Sequence, residues 1–183
     1  RLGIDPLSDY VLHVGSNLAR KNKEAILHAV VLTRGSFEGK IIFAGPALSA
    51  ELKDLAKQLG LTRRLVEVIK PTNEDLEALY GGARAFLFPS RWEGFGWPII
   101  EAQACGCPVV CGDQSALPEV AGDGAILCPP DDHEGLAQAI QKVFDRDIRT
   151  GLIKRGFLNA ARFSAESMVQ GYLDAYGMIR GGN

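Results

Sequence analysis

The sequence predicts an α/β domain: a doubly wound, Rossmann-like parallel sheet of about six strands, with helices on both faces and a helical C-terminal tail. Three observations lead there. Six short, nearly continuous apolar runs recur, at residues 10–14, 40–44, 65–69, 85–88, 109–111 and 125–128, as strands buried on both faces require. Helix-spaced apolar residues separate most of them, the alternation that builds parallel sheets through crossover connections. Glycine, hydroxyl and charged residues gather directly after the runs, where open parallel sheets bind ligands.

The first run ends at Gly15, and after the polar stretch to Asn22 the residues Ile26, Val30 and Val31 follow helical spacing. The second ends at Gly45-Pro46 and leads to Leu52, Leu55 and Leu59, again spaced for a helix. After the third run and Lys70, Thr72 is suited to cap a helix carrying Leu76, Leu79 and Tyr80. The fourth run opens into a glycine-rich stretch. The fifth, through Gly112 and Ser115, leaves room only for a short helix over residues 115–120. The sixth, through Pro129 and Asp132, reaches Leu136, Ile140, Val143 and Phe144, which begin a helical tail. That tail continues over residues 148–161 and, after the candidate cap Ser164, through Met168, Tyr172, Tyr176 and Ile179 to a frayed Gly181-Gly182-Asn183. No internal repeat or low-complexity tract interrupts the chain.

With 183 residues, 46% of them hydrophobic, residues 1–183 are expected to form one well-cored domain. A formal net charge of -2 argues against a surface that wraps nucleic acid. No stretch approaches the roughly 18 apolar residues of a membrane span. The opening Arg1-Leu2-Gly3-Ile4-Asp5-Pro6 has no initiator Met or signal peptide and reads as a cut in an interdomain linker. Cys105, Cys107, Cys111 and Cys128 lack zinc-site spacing and are expected to be buried and reduced, which fits a cytoplasmic protein. His13, His28 and His133 are scattered and read as structural.

Two stretches bear chemistry. In Pro89-Ser90-Arg91-Trp92-Glu93-Gly94-Phe95-Gly96-Trp97-Pro98, Gly94 and Gly96 permit backbone geometries that side chains forbid and leave amides open to a ligand, while Pro98 suits a first helical turn. Glu93 precedes the glycines and Glu101 follows in the helix, so the two carboxylates suit different parts of one hydroxyl-rich molecule. Phe95 is expected to pack in the core, with Trp92 and Trp97 serving as either core or sugar platforms. The second stretch, from Gly15 and Ser16 to Arg20, Lys21 and Lys23, joins a strand to a helix, where cations slightly oppose the helix dipole. A diphosphate fits it, since Arg grips phosphate in bidentate fashion and Lys acts as a point charge. It is not a Walker loop, and Gly94-Phe95-Gly96 lacks the third glycine of a dinucleotide fingerprint.

Glu93 and Glu101 separated by seven residues, Gly94-Phe95-Gly96, and Ala104-Cys105-Gly106-Cys107-Pro108-Val109-Val110 resemble the donor domain of the retaining family 4 glycosyltransferases of GT-B fold. The resemblance covers nearly the whole chain but only the C-terminal half of a two-domain enzyme. It implies transfer of a hexosyl unit from a UDP-, GDP- or ADP-sugar, without a metal or other cofactor and with retention at the anomeric carbon. Lys21 would hold the diphosphate beside Gly15. Ser16 stands where the family usually has an Arg, and Arg20 would supply that charge. Glu101 would bind ribose hydroxyls and Glu93 the donor sugar, with amides of Gly94, Phe95 and Gly96 on sugar and phosphate oxygens. Ile69 and Lys70 match the place of the base. Ser115–Val120 and Pro129–Asp132 match family segments that are mainly structural. The Arg-Lys-Asn loop points toward mannosyl transfer in polysaccharide synthesis. The acceptor, a glycan or lipid-linked molecule at a membrane surface, would be held by a missing N-terminal domain, leaving the fragment inactive alone. The alternative is a stand-alone nucleotide-sugar-binding subunit or sensor working with a separate acceptor-binding partner; an epimerase or phosphorylase would need catalytic residues not found here.

Overall fold

The computed structural model describes residues 9–180. The opening residues, the side chain of Ile179 and residues 181–183, where fraying is expected from the sequence, lie outside the described residues. Every predicted apolar run is a strand: β1 (Tyr10–Val14), β2 (Lys40–Gly45), β3 (Leu65–Ile69), β4 (Ala85–Phe88), β5 (Val109–Gly112) and β6 (Ala125–Cys128). They form one sheet in the order β3-β2-β1-β4-β5-β6, all parallel. β1 runs in register with β2 from Tyr10 opposite Lys40 to Val14 opposite Ala44, and pairs with β4 at Val11–Ala85 and Leu12–Phe86. Between β1 and β4 the order of strand addition reverses, which opens a crevice at their carboxyl ends.

Among the described residues the α-helices are α1 (Lys23–Leu32), α2 (Ala50–Gln58), α3 (Asn73–Gly82), α4 (Trp97–Ala104), α5 (Leu117–Ala121), α6 (His133–Phe144), α7 (Arg146–Ala160) and α8 (Ala165–Arg180). Because side chains alternate along a strand, each strand feeds two cores. Val11, Ile41, Phe43, Leu87 and Val110 pack under α1, α2 and α6, whereas Leu12, Ile42, Phe86, Val109 and Cys111 pack under α3, α4 and α5. Both faces are therefore dry, and the continuous apolar runs are accounted for.

The predicted caps are present. Thr72 accepts from Asp75 N–H while Asp75 accepts from Thr72 N–H, a reciprocal capping box, and Ser164 Oγ accepts from Ser167 N–H at 3.1 Å. Asp145 accepts from the amides of Asp147 and Ile148, which starts α7 two residues earlier than its apolar spacing indicated. Asn159 of α7 donates to Gln103 Oε1 at 2.7 Å and to Val120 O at 2.8 Å, tying α7 to α4 and α5 through a buried polar pair. The apolar residues of α8 are uncovered: Met168, Tyr172 and Tyr176 are each about 60% exposed.

Candidate active site

The loops after β1 and β4 meet at the crevice. Gly15 N–H donates to Ala44 O at 3.0 Å, and the loop then coils into a 3-10 turn over Ala19–Lys21. Asn22, in left-handed backbone at φ 52°, ends that turn and begins α1, and its side chain donates to Pro130 O at 2.6 Å. The coil turns Arg20 and Lys21 toward the loop after β4. There Glu93, only 7% exposed, pairs with both: its Oε1 lies 2.7 Å from Lys21 Nζ as an ion pair, and its Oε2 meets the Arg20 guanidinium. Arg20 also donates to Trp92 O at 2.9 Å, and Lys21 Nζ sits 4.7 Å above the Phe88 ring.

Two residues that sequence reasoning left aside complete this arrangement. Arg91 N–H donates to Arg20 O at 2.8 Å, while its guanidinium donates to Ala19 O and grips Asp131 at 2.7 Å, tying the loops after β1, β4 and β6. Ser115, at φ 57°, accepts from Glu93 N–H through Oγ at 3.0 Å. The Arg-Lys-Asn order hinted at Asn22, but nothing local in the sequence signals the Arg91–Asp131 pair across forty positions.

Burial opposes ionisation of Glu93, but Lys21 and Arg20 outweigh it and hold the carboxyl below the ordinary range. Lys23 donates to Asn17 Oδ1 at 2.7 Å and is pushed down to about 8 by burial, with the Lys21 charge in the same direction. Glu93 therefore pairs both cations of the turn, Arg20 and Lys21, while Lys23, at the start of α1, gives up its proton more readily than an ordinary lysine.

Glu101 lies apart from this cluster. It is exposed on α4, its Oε2 accepts from the Tyr80 hydroxyl at 3.0 Å, and it lines a cavity of about 340 Å³ with Asn73, Leu76, Glu77 and Cys105. Burial, followed by the Glu101 charge, pushes the Tyr80 phenol up, so it stays a donor. Ile69 is 55% exposed at the end of β3, and Lys70 turns the chain at φ 52° while its N–H donates to Gly45 O at 2.9 Å.

The glycine loop differs from expectation in two respects. Only Gly96 has left-handed backbone, at φ 113°, where it starts α4 against Leu117; Gly94 is not among the positive-φ residues and a Cβ there meets open space. Neither the backbone conformation nor the surrounding space at position 94 requires a glycine. Phe95 is not core: it is half-buried, 4.7 Å from the Trp97 ring and edge-on to Phe163, a residue of the helical tail beyond the sheet. Trp92 and Trp97 are about 60% exposed. All four cysteines are free; Cys107, Cys111 and Cys128 are buried, and Cys105 is half-buried beside Glu101. Among the described residues no group of three or more His, Cys, Asp or Glu side chains is placed to hold a metal ion, and no helix is long and apolar enough to cross a membrane.

Fold and site define an open parallel α/β domain whose charged cleft lies at the switch point of its sheet. The chain belongs to the glycosyl transferases group 1 family, whose model matches residues 1–157. It is 34% identical over 180 residues to O-antigen chain mannosyltransferase B of Escherichia coli, covering 93% of this chain and 46% of that protein. It is 32% identical over 185 residues to D-inositol 3-phosphate glycosyltransferase of Mycobacterium sp. (strain KMS), covering 96% of this chain and 41% of that protein. The chain thus spans less than half the length of these relatives. Sucrose-phosphate synthase from Thermosynechococcus elongatus superposes with a TM-score of 0.84 at 26% identity, over 100% of this chain and 48% of that one. Anabaena HepE, solved in complex with UDP-glucose, superposes with a TM-score of 0.82 at 21% identity, over 94% and 49%, a likeness of fold.

Proposed function

We propose that this domain is the C-terminal, donor-binding half of a retaining family 4 glycosyltransferase, transferring a hexosyl unit, with mannose the leading candidate, from a nucleoside diphosphate sugar. The observation behind this is the Arg20–Lys21–Glu93 cluster at the switch point, beside the open backbone of Gly94. Lys21 and Arg20 meet the donor diphosphate beside Gly15 and Ser16 and stabilise the negative charge that grows on it as the glycosidic bond breaks. Glu93 holds these cations in place before the donor arrives and then contacts sugar hydroxyls, with amides of Gly94, Phe95 and Gly96 on sugar and phosphate oxygens. Glu101, steadied by Tyr80, takes the ribose hydroxyls, and Ile69 and Lys70 flank the base. The mannosyltransferase relative of Escherichia coli supports the sugar, and the UDP-glucose complex of the structural neighbour supports the donor class.

The acceptor, a glycan or lipid-linked molecule at the cytoplasmic face of a membrane, is held by the N-terminal half, so the domain is inactive alone. The test is NMR of the product made from GDP-mannose or UDP-glucose by the full-length protein and by residues 1–183. Retained anomeric configuration with the former and no transfer with the latter are expected; an inverted product, or transfer by the domain alone, overturns the reading.

A further inference from the structure

Beneath the basic turn lies a group that the proposed reaction leaves unused. His13, on β1, is 1% exposed and wedged between Phe43 and Phe88, with ring centroids at 5.7 and 5.9 Å. Its Nδ1 lies 2.9 Å from Leu87 O, and a carbonyl only accepts, so Nδ1 carries the proton. Burial pushes the imidazole down to about 3, so the ring is neutral and Nε2 is a bare lone pair. That Nε2 has no hydrogen-bond partner, an uncommon state for a buried polar atom. It faces the place where a Gly15 side chain would be: a Cβ there would meet Nε2 at 3.2 Å and the Lys21 chain at 3.5 and 3.6 Å. Gly15 is therefore the gap through which an orphaned acceptor and a buried lysine adjoin.

We propose that His13 is a positioning residue for Lys21, its Nε2 accepting a hydrogen bond from the Lys21 ammonium once the donor diphosphate has drawn that ammonium away from Glu93. An ammonium has three donors, so one that turns to phosphate oxygens can also donate to a second acceptor. As the ammonium swings to phosphate, a second acceptor on the sheet side fixes its direction and satisfies Nε2 in the same movement. A residue other than glycine at position 15 would close the gap.

This inference rests on the donor-site reading, and a double-mutant cycle separates the two. UDP, GDP and ADP are titrated into the protein and into the His13→Phe, His13→Gln, Lys21→Ala and His13→Phe/Lys21→Ala variants, with thermal melting of each. Phe preserves the ring packing and removes the acceptor; Gln restores an acceptor at similar reach. His13→Phe weakens the tightest-binding nucleotide about tenfold when Lys21 is present and less than about twofold when it is absent, and His13→Gln recovers most of the loss. Equal losses in both backgrounds would overturn the inference by making His13 merely structural, as would no loss in His13→Phe. Binding of none of the three nucleotides by the parent protein, or full binding by Lys21→Ala, would overturn the donor-site reading and the inference with it.

Discussion

Replacing Glu93 by Gln removes one charge, keeps the shape, and leaves Lys21 and Arg20 facing each other in a poorly solvated corner. Removing one partner of a buried ion pair costs about 3–5 kcal/mol. Arg20 is 33% exposed, so water screens its share, and the amide still accepts from Lys21. The lower end applies: about 3 kcal/mol, or about 6–12 °C in melting temperature for a domain of this size. The pH dependence has a definite sign. The folded carboxyl lies below its ordinary 4.5, so its stabilisation is full above that value and is lost as pH falls through the folded pKa. Calorimetric melts of the two proteins should be well separated at pH 7 and converge below pH 4.5. Binding of a nucleoside diphosphate should be preserved or strengthened in the variant, because the ligand no longer competes with a carboxylate for its cations. Equal melting temperatures at pH 7, or a constant gap down to pH 3, would refute the claim that the pair is buried and coupled.

Three further outcomes follow from the geometry. Gly45→Ala places a Cβ 2.6 Å from the Gly15 carbonyl oxygen at φ 145°, so it should cost at least about 1–3 kcal/mol and impair nucleotide binding, whereas Gly94→Ala meets open space and should leave the melting temperature unchanged. Lys23 is pushed down from 10.5 to about 8, so its burial penalty is full below pH 8 and is relieved as pH rises toward 10.5; stability should climb over that window relative to Lys23→Met. Thr72→Ala removes half of a capping box and should lower the melting temperature by about 2–4 °C, from about 1 kcal/mol, with nucleotide binding unchanged.

The six strands were legible because a strand buried on both faces has no choice but a continuous apolar run, and runs such as Phe86-Leu87 divide between two cores by simple alternation. The caps at Thr72 and Ser164 were legible because capping is local. What escaped is long-range. Phe95 reads as core because it is large and apolar, yet it is half-buried against Phe163, sixty-eight positions away in the chain. The spacing of α8 predicted a helix with an apolar stripe and says nothing of whether anything covers Tyr172 or Tyr176. Arg20, Lys21 and Glu93 were each singled out as ligand contacts, but their mutual ion pair depends on β1 and β4 being neighbours, a fact of strand order rather than of either loop. Arg91, Asn22 and Ser115 became visible for the same reason, once four loops share one edge.

The central claim, that this edge is a nucleoside diphosphate sugar site, is tested most directly by calorimetric titration of the protein with UDP, GDP and ADP beside Lys21→Ala and Glu101→Ala. The account predicts preference for one nucleotide and at least tenfold weaker binding, about 1.4 kcal/mol, in each variant. Binding of none of the three, or undiminished binding by both variants, would contradict it.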